Sequence, residues 1–179
     1  MVIRLMNYLV ENNYVNSNYE ITVNLDGSSI TWGEKQIFGD VIKFLNSLGW
    51  QFKEPSGKWR GKYEKVKDKE NYTALFRSKS GEGDLRCKLK GGKELYVECK
   101  KGEISSTKSS AEYKLIREAI GQIATIEKLD ENYIYAVCVP ENEKTKNLIE
   151  QWELSEGVKR LGIKLFCIDK KGKLANFKI

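Results

Sequence analysis

Asp84 and the triplet Glu98-Cys99-Lys100 are the residues of this chain whose types and spacing can do chemistry together. A pair of carboxylates is a donor set that Mg²⁺ accepts, with retained waters and a phosphate oxygen filling the rest of its shell. A lysine beside them can orient or deprotonate a water while the metal offsets charge developing on phosphorus oxygens. The 179 residues include no histidine. That absence excludes Ser/His/Asp and Cys/His nucleophile pairs, His-ligated zinc or haem, and an imidazole base near neutral pH. Hydrolytic chemistry is left to carboxylates, lysine, tyrosine, cysteine or a metal held by oxygen.

Whether the two carboxylates meet depends on the hairpin around Gly91-Gly92. Apolar residues fall at odd numbers in both flanking runs: Leu85, Cys87 and Leu89 in the first, Leu95, Val97 and Cys99 in the second. For both sets to face one core, paired residues must have numbers of equal parity. A two-residue loop pairing Lys90 with Lys93 puts one set in water, whereas a three-residue loop, Lys90-Gly91-Gly92 with Gly92 left-handed, keeps both inside. The opposite face then gathers Asp84, Arg86, Lys88, Glu94, Tyr96, Glu98 and Lys100, with Asp84 opposite Glu98 at a Cβ separation of ~5 Å. Like charges so placed repel unless a cation or a shared proton relieves them. A plainer reading stands beside this one: any half-exposed strand can read VECKK, with Lys100 a solvated partner of Glu98 worth less than ~1 kcal/mol.

The rest of the chain must position this hairpin. Lys and Arg number 31 against 25 Asp and Glu, a formal charge of +6 that suits a polyanionic partner without requiring one. The length fits one domain with its own core. Cys87, Cys99, Cys138 and Cys167 form no CxxC pair and sit in apolar or alternating runs, as buried free thiols do. No apolar run reaches ~18 residues, and the opening MVIRLMNYLVENN is too short and polar for a signal segment, so a soluble cytoplasmic protein without membrane contact is expected.

Val2, Ile3, Leu5, Met6, Leu9 and Val10 have helical spacing, with an end near Asn12-Asn13. YEITVNL and SSITWG flank Asp26-Gly27, a hairpin signal. Ile37, Val41, Ile42, Phe44, Leu45 and Leu48 predict a helix from Glu34 to Gly49. Trp50 to Phe52 reads as extended, and Glu54 to Lys69 as a long basic loop or irregular hairpin. Strand YTALFRS and loop KSGEG lead into the Gly91-Gly92 hairpin. A helix from Ser110 to Leu129, strand YIYAVCV stopped by Pro140, helix TKNLIEQWELSEGVKRL, strand IKLFCI, turn DKKGK and a short final strand follow. Strands and helices alternating in this way predict an α/β sheet protein.

This order of elements, with Gly83-Asp84 and Glu98-Cys99-Lys100 at its centre, resembles the PD-(D/E)xK nuclease superfamily over about Glu34 to Leu174. The resemblance implies a restriction endonuclease-like fold: a mixed central β-sheet flanked by α-helices in one domain, 1–179, where 34–179 is the core and 1–33 an N-terminal helix plus β-hairpin extension. It further implies that Asp84 and Glu98 bind Mg²⁺, with Mn²⁺ able to substitute, and that Lys100 serves the hydrolytic water. Glu34, at the head of the helix ending in LGW, matches a Glu that often completes such sites; it equally suits a first-turn carboxylate stabilised by the helix dipole. The Arg117 to Gln122 stretch looks like the helix after ExK in several branches, and Gln122 is the residue carried over. The tyrosine that follows that Gln in the exonuclease branch is Ile126 here, and the motif's proline is Gly83.

The implied activity is endonucleolytic hydrolysis of DNA phosphodiester bonds, with RNA open as a substrate. A homodimer is expected, because no separate DNA-reading domain is present to address two strands. Lys58, Arg60, Lys62, Lys88, Lys101 and Lys108 then serve the phosphate backbone, or are simply solvated. Trp59 and Tyr63 either stack on bases or pack their loop onto the sheet. Ser105, Ser106 and Lys108 approach a phosphate, or the serines of SSTKSS cap the long helix. Two other classes stay open: a nuclease-like DNA-binding protein without activity, and a protein-interaction domain using the exposed hairpin face.

Overall fold

Six apolar side chains at helical spacing make the opening of the chain amphipathic, and all six are buried in α1 (Val2–Glu11). The helix stops at Asn12 and Asn13, the second at φ 59, a left-handed conformation that asparagine tolerates. In the computed structural model, which describes residues 1–25, 31–32, 35–36, 38–79, 81–100, 111–126 and 130–177, the chain then enters β1 (Ile21–Asn24). A small ribbon of β2 (Thr31–Trp32) and β3 (Lys35–Gln36) precedes α2 (Phe38–Ser47). Antiparallel strands β4 (Gln51–Pro55), β5 (Gly61–Lys67) and β6 (Glu70–Arg77) follow. The hairpin of β7 (Leu85–Lys88) and β8 (Glu94–Cys99) leads to α3 (Ala111–Ala124) and β9 (Tyr133–Pro140). Last come α4 (Glu143–Leu154), α5 (Glu156–Leu161), β10 (Lys164–Ile168) and β11 (Leu174–Ala175).

Nine strands join in one sheet, in the order β11-β10-β9-β8-β7-β1-β6-β5-β4. Strands β1, β6, β8, β9 and β10 run the same way, so their carboxyl ends share one edge. One face is covered by α1 and α2, whose Leu5, Met6, Leu9 and Leu45 pack with Ile21, Phe76, Leu85, Val97 and Phe166. On the other face Ile116, Ala119 and Ile123 of α3, with Leu148 and Ile149 of α4, lie against Tyr96, Tyr135, Val137 and Leu165. The expected class, a large mixed α/β sheet flanked by helices, is therefore the class observed. No helix among the described residues is long and apolar enough to cross a membrane.

Four local expectations change. The helix expected from Glu34 begins only at Phe38, because Lys35 and Gln36 pair with Trp32 and Thr31 in the small ribbon. The N-terminal hairpin does not form, because both edges of β1 are taken: Ile21 pairs with Ala74 of β6 and Val23 with Leu85 of β7. Ile21 and Val23 are buried beside α1, so the start of the chain builds the core instead of extending it; Asp26-Gly27 lies outside the described residues. The basic segment is a regular hairpin, β4 to β5, in which Gly61, Tyr63 and Lys65 point inward. Trp59 and Tyr63 are buried and the Tyr63 hydroxyl donates to the Trp59 carbonyl at 2.8 Å, which gives both a packing role instead of base stacking. The helix expected over TKNLIEQWELSEGVKRL is broken at Ser155, whose ψ of 124° is extended.

Lys65 turns inward because its charge is matched there. Only 8% exposed, its ammonium donates to Asn7 Oδ1 at 2.9 Å and to the Leu48 carbonyl at 2.5 Å, and pairs with Glu11. It thereby ties α1, the end of α2 and β5 together. Lys65→Ala strands the Leu48 carbonyl, while Asn7 Oδ1 keeps the Trp50 Nε1–H at 3.1 Å and Glu11 stays half in water, and is expected to destabilise the fold by about 1–3 kcal/mol. A lower urea midpoint at unchanged slope is the expected reading.

Candidate functional site

The parity rule is realised in the hairpin that carries Asp84 and Glu98. Leu85 pairs with Val97, Arg86 with Tyr96, Cys87 with Leu95 and Lys88 with Glu94. The Leu89 N–H donates to the Lys93 carbonyl at 2.8 Å and the Gly92 N–H to the Leu89 carbonyl at 3.0 Å, with Gly92 at φ 90. This is the three-residue loop that keeps both apolar sets inside.

Registered pairing stops at Leu85, and the strand end is reshaped there. Asp84 still donates its N–H to the Val97 carbonyl at 2.9 Å, while its carboxylate Oδ2 accepts from the Cys99 N–H at 2.7 Å. The side chain is thus pulled across the hairpin toward the strand bearing Glu98. Asn24, at the end of β1 and only 5% exposed, holds the turn from the other side. Its backbone N–H donates to the Asp84 carbonyl at 2.9 Å and its Nδ2 to the Gly83 carbonyl at 2.6 Å, while its Oδ1 accepts from Arg77 Nε at 3.2 Å. Arg77 in turn pairs with Glu82, as does Lys79. Every amide group of this buried side chain is therefore matched.

Glu98 sits half-buried on the same side of β8 as Tyr96, whose hydroxyl donates to Glu98 Oε1 at 3.1 Å. Burial first, and then the charge of Asp84, hold the Glu98 carboxyl above the usual carboxylate range, against the pull of the Tyr96 hydroxyl and the Lys100 ammonium. Desolvation is thus the main cause, and the like charge of Asp84 adds to it. Lys100 continues the β8–β9 ladder past Cys99 and Cys138, its N–H donating to the Cys138 carbonyl at 3.0 Å. Asp84, Glu98 and Lys100 meet at the carboxyl edge of the sheet, where open α/β sheets place their ligands. Two oxygen donors that repel each other in a partly desolvated place fit a hard divalent cation. Among the described residues no group of three or more Asp, Glu, Cys or His side chains gathers as a metal set, so the acidic constellation there is this pair.

The remaining candidates divide by position. Glu34, Lys101 and Lys108, with Ser105 and Ser106, lie outside the described residues. Gln122 is exposed in the last turn of α3, which leads to the start of β9 where Tyr133 pairs with Glu94, and no described contact connects it to the acidic pair. Lys58 and Arg60 are exposed in the β4–β5 turn. One register row, Gly61–Phe76–Val23–Leu85–Val97, puts that turn on the same edge of the sheet as Asp84 and Glu98. Three strand spacings separate the turn from Asp84 and four from Glu98, roughly 14 and 19 Å. Lys62 pairs with Glu54 at 3.3 Å, and the Lys88 ammonium lies 5.8 Å from the Tyr19 ring centre.

Cysteine drops out of the list of nucleophiles. Burial pushes the Cys87 and Cys167 thiols up to about 12, and a hydrogen bond with Cys138 holds Cys99 well above the ordinary thiol range. All four thiols are free. Sequence reasoning missed Asn24, which acts on the turn before another strand, and the role of Tyr96, whose hydroxyl reaches Glu98 two residues on along the same strand. Compared with known protein families, curated proteins and solved structures, the chain matches none.

Proposed function

We propose that this protein is a Mg²⁺-dependent endonuclease of restriction endonuclease-like fold that hydrolyses DNA phosphodiester bonds. The observation that carries the reading is the half-buried Glu98 carboxylate with Asp84 drawn across the hairpin toward its strand by the Cys99 N–H. Bound at Asp84 and Glu98, Mg²⁺ supplies a Lewis acid for the phosphate oxygens and a template for the hydrolytic water, and Mn²⁺ can replace it. Asp84 brings its carboxylate already drawn toward the Glu98 strand by the Cys99 N–H, which donates to its Oδ2. Lys100 orients the water or takes its proton, and its charge opposes that of the phosphate. Glu34 belongs to the same reading as a third carboxylate, and Gln122 as an accessory group. Lys58 and Arg60 on the shared edge, with Lys62, Lys88, Lys101 and Lys108, serve the phosphate backbone through salt-dependent contacts. A homodimer in the cytoplasm, each copy cutting one strand, completes the proposal.

A panel of supercoiled and linear DNA, with single-stranded DNA and RNA beside it, incubated at low salt with Mg²⁺ or Mn²⁺, tests this. Cleavage is expected from the wild-type chain, none in chelator, and a loss of ~10²-fold or more in Lys100→Ala. An intact panel from folded protein sinks the enzymatic reading. A wild-type chain that binds DNA and cuts none, with binding unchanged in Lys100→Ala, points to a binding protein, and no affinity at low salt points to a protein partner for this face.

A further inference from the structure

We infer that Tyr96 is a positioning residue, which aims the Glu98 carboxylate at the place it shares with Asp84, and that Gly83 is a glycine so that the Tyr96 ring can lie over the turn. The inference rests on the metal-dependent reading above and names a group that neither the motif nor the resemblance supplies. Tyr96 is 8% exposed, its ring centre 5.6 Å from that of Tyr135 and its side chain in one cluster with Ile116, Ala119 and Ile123 of α3. Tyr135 is itself anchored, its hydroxyl accepting from the Asp130 N–H at 3.1 Å. On the other side the ring lies against Gly83, where a Cβ would come within 2.7 Å of Tyr96 Cζ and 2.9 Å of both Cε atoms. The ring is therefore gripped by α3, Tyr135 and the turn that carries Asp84.

A phenylalanine would fill this slot without bringing a polar group to be desolvated. The hydroxyl it would lack donates to Glu98 Oε1 at 3.1 Å. That bond fixes the terminal torsion of Glu98, which is otherwise broad, and leaves Oε2 free to ligate. Metal ligands depend on such partners, whose loss typically costs ten- to a hundredfold in affinity. One clamp thus joins both halves of the site. Gly83 carries Asp84, Tyr96 touches Gly83, and the Tyr96 hydroxyl holds Glu98.

The test is calorimetric titration of Mn²⁺ into the full chain, with melting curves recorded in chelator. Tyr96→Phe is expected to weaken Mn²⁺ binding by ~10-fold or more while the chelated melting temperature stays within a few degrees. Wild-type affinity in Tyr96→Phe overturns the inference and leaves the metal site standing, whereas a wild-type chain that binds no Mn²⁺ overturns the nuclease reading with it. A second arm guards against a variant that merely loosens the fold. In a Glu98→Ala background, which removes the acceptor itself, Tyr96→Phe is expected to cause no further loss of Mn²⁺ affinity; fully additive losses mean that the hydroxyl does not act through Glu98 and overturn the inference.

Discussion

Glu98→Gln is expected to reduce metal-dependent DNA cleavage by at least ~10³-fold, from a chain that is as stable as the wild type or more so when no metal is present. The two halves of this result have one cause. Glutamine keeps the shape of the side chain and an oxygen to accept from the Tyr96 hydroxyl, but carries no charge to hold a cation. What it removes is a carboxylate whose proton affinity is raised by burial and by Asp84. A carboxyl raised in the folded state contributes its stability in full below its unfolded value of about 4.3, and loses it as pH climbs through the folded value. Near neutral pH the wild-type chain therefore carries the whole penalty of a desolvated charge facing another. The variant carries none of it. In chelator, the stability of the wild type should fall relative to Glu98→Gln as pH rises from 4 past the raised Glu98 value, and level off above it. Adding Mg²⁺ at neutral pH reverses the order: at ten times its dissociation constant, the ion adds ~1.4 kcal/mol to the wild type and little to the variant. A Glu98→Gln chain that is less stable at every pH, or that still cuts DNA at the wild-type rate, makes Glu98 a structural carboxylate and ends the metal reading.

The register of this hairpin was legible in the sequence because it is a local question with a binary answer. Two adjacent runs share one core, so the parity of their apolar residues rejects the two-residue loop in favour of an odd one, and Leu85 opposite Val97 is the result of the three-residue loop. The place of β1 was not legible. An alternating ITV reads the same whether the strand pairs with its neighbour in sequence or inserts between β6 and β7, and the Asp26-Gly27 signal says nothing about which strand edge is free. The basic segment hid its periodicity for another reason. Trp59, Gly61, Tyr63 and Lys65 share one parity, but a lysine in the inward series looks like a break until Asn7, Glu11 and the Leu48 carbonyl are seen to receive it. Asn24 and Tyr96 stayed silent because a polar residue at a strand end and a tyrosine on an outward face are ordinary. The carbonyl that Asn24 reaches lies far along the chain, and although spacing puts Tyr96 on the face of Glu98, it does not show that α3 buries the ring and turns its hydroxyl to the carboxylate.

Gly83→Ala is expected to destabilise the fold by about 2–5 kcal/mol, by adding two effects that a glycine avoids. The residue sits at φ 72, where an L side chain meets the following carbonyl at a cost of roughly 1–2 kcal/mol. The new methyl also enters the Tyr96 ring, with Cζ at 2.7 Å, and forcing a buried aromatic aside typically costs ~1–3 kcal/mol. Neither partner can yield easily. Asn24 holds the turn through the Gly83 and Asp84 carbonyls, and Tyr135 and α3 back the ring. Gly81 is the control: at φ 80 it has the same backbone strain, but an added Cβ meets nothing within 4 Å. Gly81→Ala should therefore show the conformational cost alone, and the difference between the two urea midpoints isolates the contact with Tyr96. Equal losses at both positions mean that the ring moves freely, and with it the hold on Glu98. The same geometry excludes proline at position 83. Its ring fixes φ near −65°, so a turn that must pass under Tyr96 at φ 72 to deliver Asp84 admits glycine and rejects proline.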